Sequence, residues 1–545
     1  MWLENIPAIP HMNYLSDFKI RSKTDVYLFM LLRVIIILFL IPVGLFAQTK
    51  TETKTSTTKT ATSSGKTTAA NKTTTTTTTD TLNSIEKAIK TFYSDAALKN
   101  ASISFNVVNT SDNSVIASYN PYQSLVPAST MKLVTTATAL EVLGAGYTFS
   151  TTIQYSGAID SNCVLHGDVF VKGGGDPALG SKYFTEHYEG FMDKWAIALR
   201  NAGIDSVTGR VIADAEIFSW DMVPSTWSWG DIGNHYGAGP SGLTIYDNVC
   251  VLHFESGATA GDSTSISCVN PYVPGLEFYN EVESSNSTGD DAYIFGAPYE
   301  NNRYVKGNIP KGKTDFEVKG TIPDPAYLTA YEFYSSLYKW GVSCGGGITT
   351  VRDLKLENKY REEVRTDIYT TTSPSVSSIV YWVNLVSMNL FAEHLINTIG
   401  LKRYGTGSVD AGTSSTTEYW KKKGIDMTGF YMNDGCGLSR YNAISAKHFT
   451  DILYKMKSNS TFEKSLPIAG KTGTLSHLCK GTSAQGNVKA KSGTMTRVKS
   501  YAGYATSASD KKLAFSIIVN NHSCTTRELE KKLEKIMVAL ADYKD

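Results

Sequence analysis

The sequence predicts an α+β domain whose two halves are separated by a long β-rich insertion. The first half, 82–150, shows helical and hairpin patterns, and the last, 361–545, shows strands followed by a helix. Between them, 151–360 consists of short apolar runs broken by Gly, Asp, Asn and Pro, which is typical of one or two small β-rich modules. Helices that bracket an antiparallel sheet characterise the α+β class.

The first half begins with a helix and a hairpin. Apolar residues at helical spacing over 82–92 predict an amphipathic helix. Alternating apolar residues over 103–119, with Ser111-Asp112-Asn113 between them, predict a β-hairpin. A second helix is expected from about Ser129 to Gly144, where the glycine can end it.

The last half returns to helical patterns and closes with a sheet. Residues 375–399 are apolar at helical spacing. Strands are predicted at 488–504 and 513–520, joined by a turn at 507–510. Leucine and isoleucine at helical spacing over 529–540 predict the final helix.

The N-terminal segment has the composition of an export signal and a tether. Arg33 precedes an apolar run, Val34 to Phe46, that is short for a bilayer span, so 1–47 is interpreted as a signal peptide. The residues before Met30 are either a long n-region of this signal or the result of a start codon assigned too far upstream. An uncleaved signal, which would be the only membrane attachment, is the alternative. The Thr-rich stretch 48–81 cannot bury apolar area and is expected to be a disordered tether. We therefore expect export to the periplasm or cell envelope.

Composition limits the partners and the chemistry. The 545 residues carry 52 Lys and Arg against 51 Asp and Glu, so no basic field exists that could hold nucleic acid. The sequence has no Cys-x-x-Cys pair and no His-Glu-x-x-His segment, so we expect no metal and no cofactor. Among the seven cysteines, Cys250 and Cys268 flank a turn-rich stretch and are the favoured disulfide pair.

A Ser-x-x-Lys segment can form the first element of an acyl-transfer site. Ser129-Thr130-Met131-Lys132 opens a predicted helix, so one turn places the lysine beside the serine. Free N–H groups at a helix start can stabilise an oxyanion, and burial near another cation keeps a lysine neutral enough to act as a base. The same spacing occurs before the signal core, in the tether, in the insertion and in a hairpin turn, where the context argues against catalysis: Ser16, Ser56, Ser63, Ser336 and Ser509.

The second element must pass a proton to the leaving group. Ser387-Met388-Asn389 lies between two apolar helical patterns, where both polar side chains can face a cleft. A helix-capping serine is the alternative interpretation. Ser111-Asp112-Asn113 lies in a tight turn, where these residue types bond to the local backbone, so we assign it no catalytic role.

The third element is a cation on a strand, with a small residue and a glycine that let a substrate backbone lie alongside. Two segments match, Lys471-Thr472-Gly473-Thr474 and Lys491-Ser492-Gly493-Thr494. The first follows Pro467 in a Gly-rich connection, whereas the second begins the long strand that precedes the final helix. We therefore choose Lys491.

Together, Ser129-x-x-Lys132, Ser387-x-Asn389 and Lys491-Ser492-Gly493-Thr494 resemble the three signatures of penicillin-binding proteins and serine β-lactamases. The surrounding segments PASTMKLVTTATALEVLG, GDVFVKGGGDPALG, NDGCGLSRYN, LPIAGKTGTL and GNVKAKSGTMTRVKSYAGY resemble class C low-molecular-mass penicillin-binding proteins of the penicillin-binding protein 4 type. The resemblance runs from about Leu82 to the C-terminus. It implies a penicillin-recognising transpeptidase/β-lactamase-like domain, an antiparallel sheet flanked by helices, interrupted by two small inserted domains.

The resemblance implies a role for each catalytic motif. Ser129 would attack the penultimate D-alanine carbonyl with Lys132 as base. Ser387 would relay a proton to the leaving amine, and Asn389 would orient Lys132 and the substrate amide. The backbone N–H groups of Ser129 and Thr494 would form the oxyanion hole.

The resemblance also implies how substrate is held. Lys491 and Thr494 would bind the terminal carboxylate, with Ser492-Gly493 on the same strand beside the substrate. Asp231, in the segment WSWGD, resembles a residue that reads the side-chain amine of diaminopimelate, and Arg440 resembles a residue of the same subsite.

The implied function is that of a serine-type D-Ala-D-Ala carboxypeptidase or D,D-endopeptidase on peptidoglycan stem peptides, with β-lactams as acylating inhibitors. A serine β-lactamase shares the acylation residues, and a non-catalytic wall-binding surface protein is a third possibility. Two positions depart from the family pattern: Met388 stands where Asp is common, and Cys436 stands where Ser is common. Cys436 is either a packing thiol or half of a disulfide.

Overall fold

The computed structural model describes residues 82–544, and the predicted signal peptide and tether lie outside the described residues. Within the described range, the helices lack the combined length and apolarity needed to cross a membrane. The chain first forms these elements: α1 (Ser84–Tyr93), β1 (Ser102–Asn109), β2 (Val115–Tyr119) and α2 (Met131–Val142). Asn83 begins α1 through a capping box with Glu86, which satisfies N–H groups that the first turn leaves free.

The insertion follows α2 and is built from short strands with a few helices. Its elements are β3 (Ser150–Ser156), β4 (Ala158–Ile159), β5 (Val164–His166), β6 (Val169–Lys172), α3 (Phe191–Asn201), β7 (Ser206–Val207), β8 (Val211–Asp214), α4 (Trp229–Ile232), β9 (Val249–Ser256), β10 (Thr264–Asn270), β11 (Glu277–Ser285), β12 (Asp291–Phe295), β13 (Asn302–Pro310), β14 (Phe316–Thr321), α5 (Pro325–Lys339), β15 (Ser343–Cys344), β16 (Ile348–Thr350), α6 (Val351–Leu356) and β17 (Arg365–Thr372).

The chain then returns to the first domain. The remaining elements are α7 (Val376–Leu385), α8 (Asn389–Tyr404), α9 (Val409–Lys422), α10 (Ala446–Met456), α11 (Ser460–Ser465), β18 (Val488–Met495), β19 (Val498–Thr506), β20 (Lys512–Asn520) and α12 (Thr526–Ala541).

The central sheet joins both ends of the sequence. Its order is β18-β19-β20-β1-β2, and every neighbouring pair is antiparallel. The amphipathic faces of α1 and α12 pack against one face of this sheet in a shared apolar cluster. Helices α2, α8 and α10 lie on the side that holds the catalytic motifs, and α10 contacts β1, β19 and β20 directly.

The insertion contains two kinds of sheet. One group has the orders β16-β8-β6-β3-β17 and β15-β7-β5-β4 and includes parallel pairs. The other group consists of β10-β9-β14 and β11-β13-β12, whose apolar faces share buried side chains. Strand β17 follows the predicted domain boundary at residue 360 but pairs with β3, so the insertion's sheet extends past that boundary.

One predicted strand is instead a hairpin. The stretch 488–504 divides into β18 and β19, which pair with each other through a tight turn at Thr496-Arg497. Arg497 has a φ of 63°, the left-handed conformation that such a turn needs. The prediction of one continuous strand was wrong because this turn lacks the Gly, Asn or Pro that usually marks one.

The proposed disulfide is also wrong. Cys250 is buried on β9 and Cys268 is exposed on β10, and His253 lies opposite Cys268 in the strand register. All seven cysteines, which lie within the described residues, are free thiols, and Cys436 is therefore a packing thiol.

Candidate active site

Ser129 lies in a short 3₁₀ turn, Ala128–Thr130, that leads directly into α2. Ala128 has a φ of 50°, a left-handed conformation that costs energy in a residue other than glycine. The hydroxyl of Thr130 donates a hydrogen bond to the Pro127 carbonyl at 2.8 Å, which fixes the turn. Strained backbone held by its surroundings is typical of functional sites.

Gly493 lets strand β18 lie against this turn. A Cβ at this position would lie 2.4 Å from the Pro127 carbonyl oxygen and 2.3 Å from Ser500 Oγ, both far inside contact distance. The glycine of the third motif is therefore needed for packing, because any side chain would push the strand away from Ser129.

The buried side chain of Lys132 connects three parts of the site. Its Nζ lies 3.1 Å from Ser129 Oγ, 2.6 Å from Asn389 Oδ1 and 2.6 Å from the Cys436 carbonyl oxygen. A neutral amine has two N–H donors and one lone pair. With the two donors directed at Asn389 and Cys436, the lone pair is left for the Ser129 proton, which is the arrangement that a general base requires.

The surroundings of Lys132 favour this neutral form. Burial lowers the lysine pKa, while Cys436, Asp434 and Glu393 act in the opposite direction. Glu393 is itself completely buried, and burial together with Asp434 raises its pKa to about 8. Its Oε1 accepts a hydrogen bond from the Cys436 N–H at 2.6 Å. Because Glu393 is mostly protonated at neutral pH, it adds little attraction for a lysine cation.

Ser387 occupies the bend between α7 and α8 that the two helical patterns predicted. It has a φ of 65°, and its Oγ accepts a hydrogen bond from Lys491 Nζ at 2.9 Å. Met388, rather than Ser387, caps α8, which argues against the helix-capping interpretation. Lys491 is buried on β18, and burial together with the charges of Lys132 and Lys499 holds its pKa well below the usual range.

Asn389 links the catalytic helices to the insertion. Its Oδ1 accepts from Lys132, and its Nδ2 donates to the Tyr236 carbonyl at 2.7 Å. The carbonyls of Tyr236 and Cys436 thus hold the site together, and sequence reasoning missed both because a backbone carbonyl has no residue-type signature.

A cavity of about 450 Å³ opens at these residues. Six of the sequence-predicted residues line it: Ser129, Ser387, Asn389, Thr494, Asp231 and Arg440. The other four lie outside this lining: Lys132, Lys491, Ser492 and Gly493. The hydroxyl of Ser492 donates to Thr474 Oγ1 at 2.8 Å.

Thr494 has a cationic neighbour that sequence reasoning also missed. Lys499 Nζ donates to Thr494 Oγ1 at 2.8 Å and forms an ion pair with Glu530 at 2.6 Å. Because Thr494 Oγ1 accepts from Lys499, its own hydroxyl proton can be donated to an acceptor of a ligand, such as a carboxylate, at this end of the cavity.

Opposite charges meet at the insertion's side of the cavity. The Tyr236 hydroxyl donates to Asp231 Oδ1 at 3.3 Å. Burial raises the pKa of Asp231, while Tyr236 and the charge of Arg440 act against this rise. A carboxylate and a guanidinium beside each other suit a ligand group that carries both charges.

The competing motifs lie in other environments. Lys471 is exposed in a turn, and Ser111 and Asp112 bond within their own hairpin turn. In the insertion, Ser336 contacts Asp193 at 3.3 Å, and Lys339 forms an ion pair with the same carboxylate at 2.9 Å, so this Ser-x-x-Lys pair cannot act as Ser129 and Lys132 do.

A serine facing a buried lysine, beside an antiparallel sheet flanked by helices, defines a penicillin-recognising serine enzyme. The family model described as the D-Ala-D-Ala carboxypeptidase 3 (S13) family matches residues 85–544. The chain belongs to this family of serine peptidases, which confirms the class of protein and enzyme that the motifs predicted. Membership favours a carboxypeptidase over the β-lactamase and wall-binding alternatives.

Similar proteins agree with this assignment. The D-alanyl-D-alanine carboxypeptidase of Actinomadura sp. (strain R39) is 30% identical over 459 residues, which covers 81% of this chain and 82% of that protein. The D-alanyl-D-alanine carboxypeptidase DacB of Haemophilus influenzae is 24% identical over 442 residues, or 80% of this chain and 88% of that protein. The crystal structure of penicillin binding protein 4 from Haemophilus influenzae superposes with a TM-score of 0.71 at 23% identity, covers 83% of this chain and 98% of that chain, and confirms the fold.

Proposed function

We propose that this protein removes the terminal D-alanine from peptidoglycan stem peptides through an acyl-enzyme on Ser129, and that it also cleaves D,D-cross-links. The observation that carries the proposal is the contact of 3.1 Å between Ser129 Oγ and Nζ of the buried Lys132, with acceptors in place for both N–H groups of the neutral amine.

Acylation begins with the neutral amine of Lys132. It takes the hydroxyl proton of Ser129, and Oγ attacks the carbonyl carbon of the penultimate D-alanine. The carbonyl oxygen becomes an oxyanion that accepts from the N–H groups of Ser129 and Thr494, an arrangement typical of acyl transfer.

The leaving amine needs a proton before the peptide bond breaks. Lys491 donates to Ser387 Oγ at 2.9 Å, so the Ser387 hydroxyl is free to donate to the leaving nitrogen. Ser387 then takes a proton from Lys491, and Lys132 passes the proton from Ser129 to Lys491. Lys132 is then neutral again and can take a proton from the water that attacks the acyl-enzyme, which it returns to Ser129 Oγ when the ester bond breaks. The closeness of the two lysines supports this exchange, because both cannot easily carry charge in a buried site.

The two ends of the cavity bind different parts of the substrate. Thr494, supported by Lys499, suits the terminal carboxylate of the substrate. Asp231 and Arg440 suit the amine and carboxylate at the end of a diaminopimelate side chain. In a D,D-cross-link the leaving group is the side-chain amine of a diaminopimelate residue in a second stem peptide, and the open side of the cavity can accept this larger group.

The substrate requires that the enzyme act outside the cytoplasm. The signal-peptide pattern over 1–47 supports export to the periplasm or cell envelope, with the Thr-rich stretch 48–81 as a spacer. β-Lactams, which resemble the acyl-D-Ala-D-Ala end, would acylate the same Ser129.

A single experiment tests the nucleophile and the reaction class together. The purified protein is incubated with a fluorescent penicillin and, separately, with a peptide that ends in D-Ala-D-Ala, and released D-alanine is measured. We expect covalent labelling and D-alanine release in the wild type. A protein that labels but releases no D-alanine would argue against the carboxypeptidase.

A further inference from the structure

An exposed row of aromatic side chains crosses the sheet β11-β13-β12 of the insertion. Tyr279 lies directly opposite Tyr304 between the parallel strands β11 and β13, and Tyr304 lies opposite Phe295 between the antiparallel strands β13 and β12. Trp229, at the start of α4, continues the row beyond Phe295, with 6.4 Å between the two ring centroids. We name Tyr279, Tyr304, Phe295 and Trp229 the aromatic row.

The two tyrosine rings pack against each other and remain about half exposed. Tyr279 and Tyr304 are stacked, with 5.2 Å between centroids and 24° between ring planes. Tyr279, Tyr304 and Trp229 are 52%, 47% and 55% exposed. With about 4.8 Å between neighbouring strands, the row is roughly 16 Å long.

These side chains contribute little to the core, since the alternating residues of the same strands fill it. Val282, Ile294 and Val305 point to the opposite face and are buried against the neighbouring sheet. Isolated exposed aromatics are normal in proteins, but a contiguous exposed row across three strands and a helix is typical of a binding surface.

The charges beside the row favour an uncharged ligand. Lys306, which follows Tyr304 by two residues on the same face, is paired with Glu281 at 3.0 Å. Glu277 and Glu283 are exposed on the same strand as Tyr279 and have the same side-chain orientation. An acidic surface of this kind would repel nucleic acid and anionic lipid. Uncharged rings of a ligand, in contrast, can pack against the aromatic row without this repulsion.

The row ends at the candidate active site. Asp231, which lines the cavity with Ser129, follows Trp229 by two residues on α4. On the proposed function, Asp231 reads the third residue of a stem peptide, and only two residues, about 7 Å when extended, then join it to the sugar. The glycan strand must therefore pass just outside the cavity, where Trp229 lies.

We propose that the aromatic row binds the glycan strand of peptidoglycan, with sugar rings packed against the exposed parts of the aromatic side chains while the attached stem peptide enters the cavity. The lactyl carboxyl groups of the strand are used up in the bonds to the peptides, so the strand is largely neutral and fits the charge of this face. This inference rests on the proposed function, because it takes its ligand from the substrate of that site.

The test compares two substrates and four proteins. The full-length wild type, the double variant Tyr279→Ala/Tyr304→Ala, the double variant Tyr279→Phe/Tyr304→Phe and the control Tyr338→Ala are assayed on polymeric peptidoglycan and on a soluble pentapeptide. Tyr338 is 80% exposed at the end of α5 and lies outside the row, so it matches the surface change. We expect the double alanine variant to lose about tenfold in kcat/KM on the polymer, mainly through KM, and to stay within about twofold on the pentapeptide. The phenylalanine variant, which keeps the ring faces, should behave as wild type on both.

A binding measurement separates this inference from the proposed reaction. Sedimentation with insoluble chitin, an uncharged polymer of β-1,4-linked N-acetylglucosamine that carries no peptide, should retain the wild type and release the double alanine variant, whether or not the enzyme hydrolyses any peptide. Equal losses of the alanine variant on polymer and pentapeptide, unchanged activity on the polymer, or unchanged sedimentation would each overturn the proposal. So would a wild type that is dimeric in solution and becomes monomeric on substitution, because the row would then be an interface between copies.

Discussion

Two segments of the chain have nearly the same sequence and lie in opposite environments. Lys491-Ser492-Gly493-Thr494 lies on strand β18, and its lysine is completely buried with a hydrogen bond to Ser387. Lys471-Thr472-Gly473-Thr474 forms a turn in which Lys471 is exposed and Gly473 has a φ of 56°. A hydrogen bond of 2.8 Å between the hydroxyls of Ser492 and Thr474 joins the two segments.

The difference shows what sets the candidate catalytic motif apart from a segment of similar sequence. The residue types alone supply a cation, a hydroxyl and a glycine, which both segments have. What distinguishes Lys491 is the strand, because β18 lies against the turn that carries Ser129 and its glycine allows this approach. Burial then lowers the pKa of Lys491, an effect that a lysine exposed to water does not experience.

The largest expected effect tests whether Ser129, which lies beside the strand of Lys491, is the nucleophile. Ser129→Ala should abolish covalent labelling by fluorescent penicillin and leave the thermal unfolding transition unchanged within a few degrees, because one hydroxyl is lost and little packing changes. Ser336→Ala, in the helical Ser-x-x-Lys segment of the insertion, should label as wild type. Labelling that persists in Ser129→Ala would show that Ser129 is not the nucleophile, and closeness to Ser129 could then no longer distinguish the Lys491 segment from the Lys471 segment.

The next effect separates the two lysine segments directly. Lys491→Ala should lower kcat/KM on an acyl-D-Ala-D-Ala peptide by on the order of 10²-fold, since it removes the hydrogen-bond donor to Ser387 and with it the proposed route of the proton to the leaving amine. Lys471→Ala should stay within a few-fold of wild type, because its side chain is exposed in a turn. Steady-state kinetics decide the matter, and a reversed order of the two losses would show that the wrong segment has been chosen.

A smaller effect concerns the opposite end of the cavity. Asp231→Asn keeps the shape but removes the charge, and a charge-assisted hydrogen bond contributes about 1.5–3 kcal/mol against roughly 1 for a neutral one. Efficiency on peptides with a free side-chain amine should fall about tenfold, whereas a small acyl-D-Ala-D-Ala ester without that amine should be hydrolysed as before. Equal losses on both substrates would mean that Asp231 supports the insertion and reads no charge.

The smallest expected effect tests how the buried carboxyl group of Glu393 influences the protonation of Lys132. Glu393 faces Lys132, Asp434 and Cys436, and its pKa is raised to about 8 by burial and Asp434. Above that pH the ionised carboxylate should stabilise the charged form of Lys132, which has no lone pair for the Ser129 proton. Acylation by penicillin should therefore level off or fall above pH 8 in the wild type.

Glu393→Gln removes this titration while keeping an acceptor for the Cys436 N–H. The variant should match wild type at pH 6–7 and exceed it by a few-fold at pH 9, measured as the rate of labelling. Identical pH profiles for the two proteins would show that Glu393 does not influence the base.

Local patterns predicted much of the fold and proposed the residues of the candidate site, six of which line one cavity. Apolar periodicity placed α1, α8 and α12, and the bend at Ser387 followed from two helical runs that meet there. The same reasoning failed at Thr496-Arg497, because a left-handed arginine carries no turn signal. It also paired Cys250 with Cys268 from spacing alone, although the strand register places His253 opposite Cys268.

The sequence by itself determined the order of the motifs, the helical turn that joins Ser129 to Lys132 and the choice of Lys491, since each depends on neighbours only a few residues away. The tertiary structure decided which distant groups complete the base. The Cys436 carbonyl is 304 residues from Lys132, and Asn389 is 257 residues away. The aromatic row is decided in the same way, because strand register brings Tyr279, Tyr304 and Phe295 side by side. Such contacts form when packing closes the chain on itself, and no local repeat in the sequence records them.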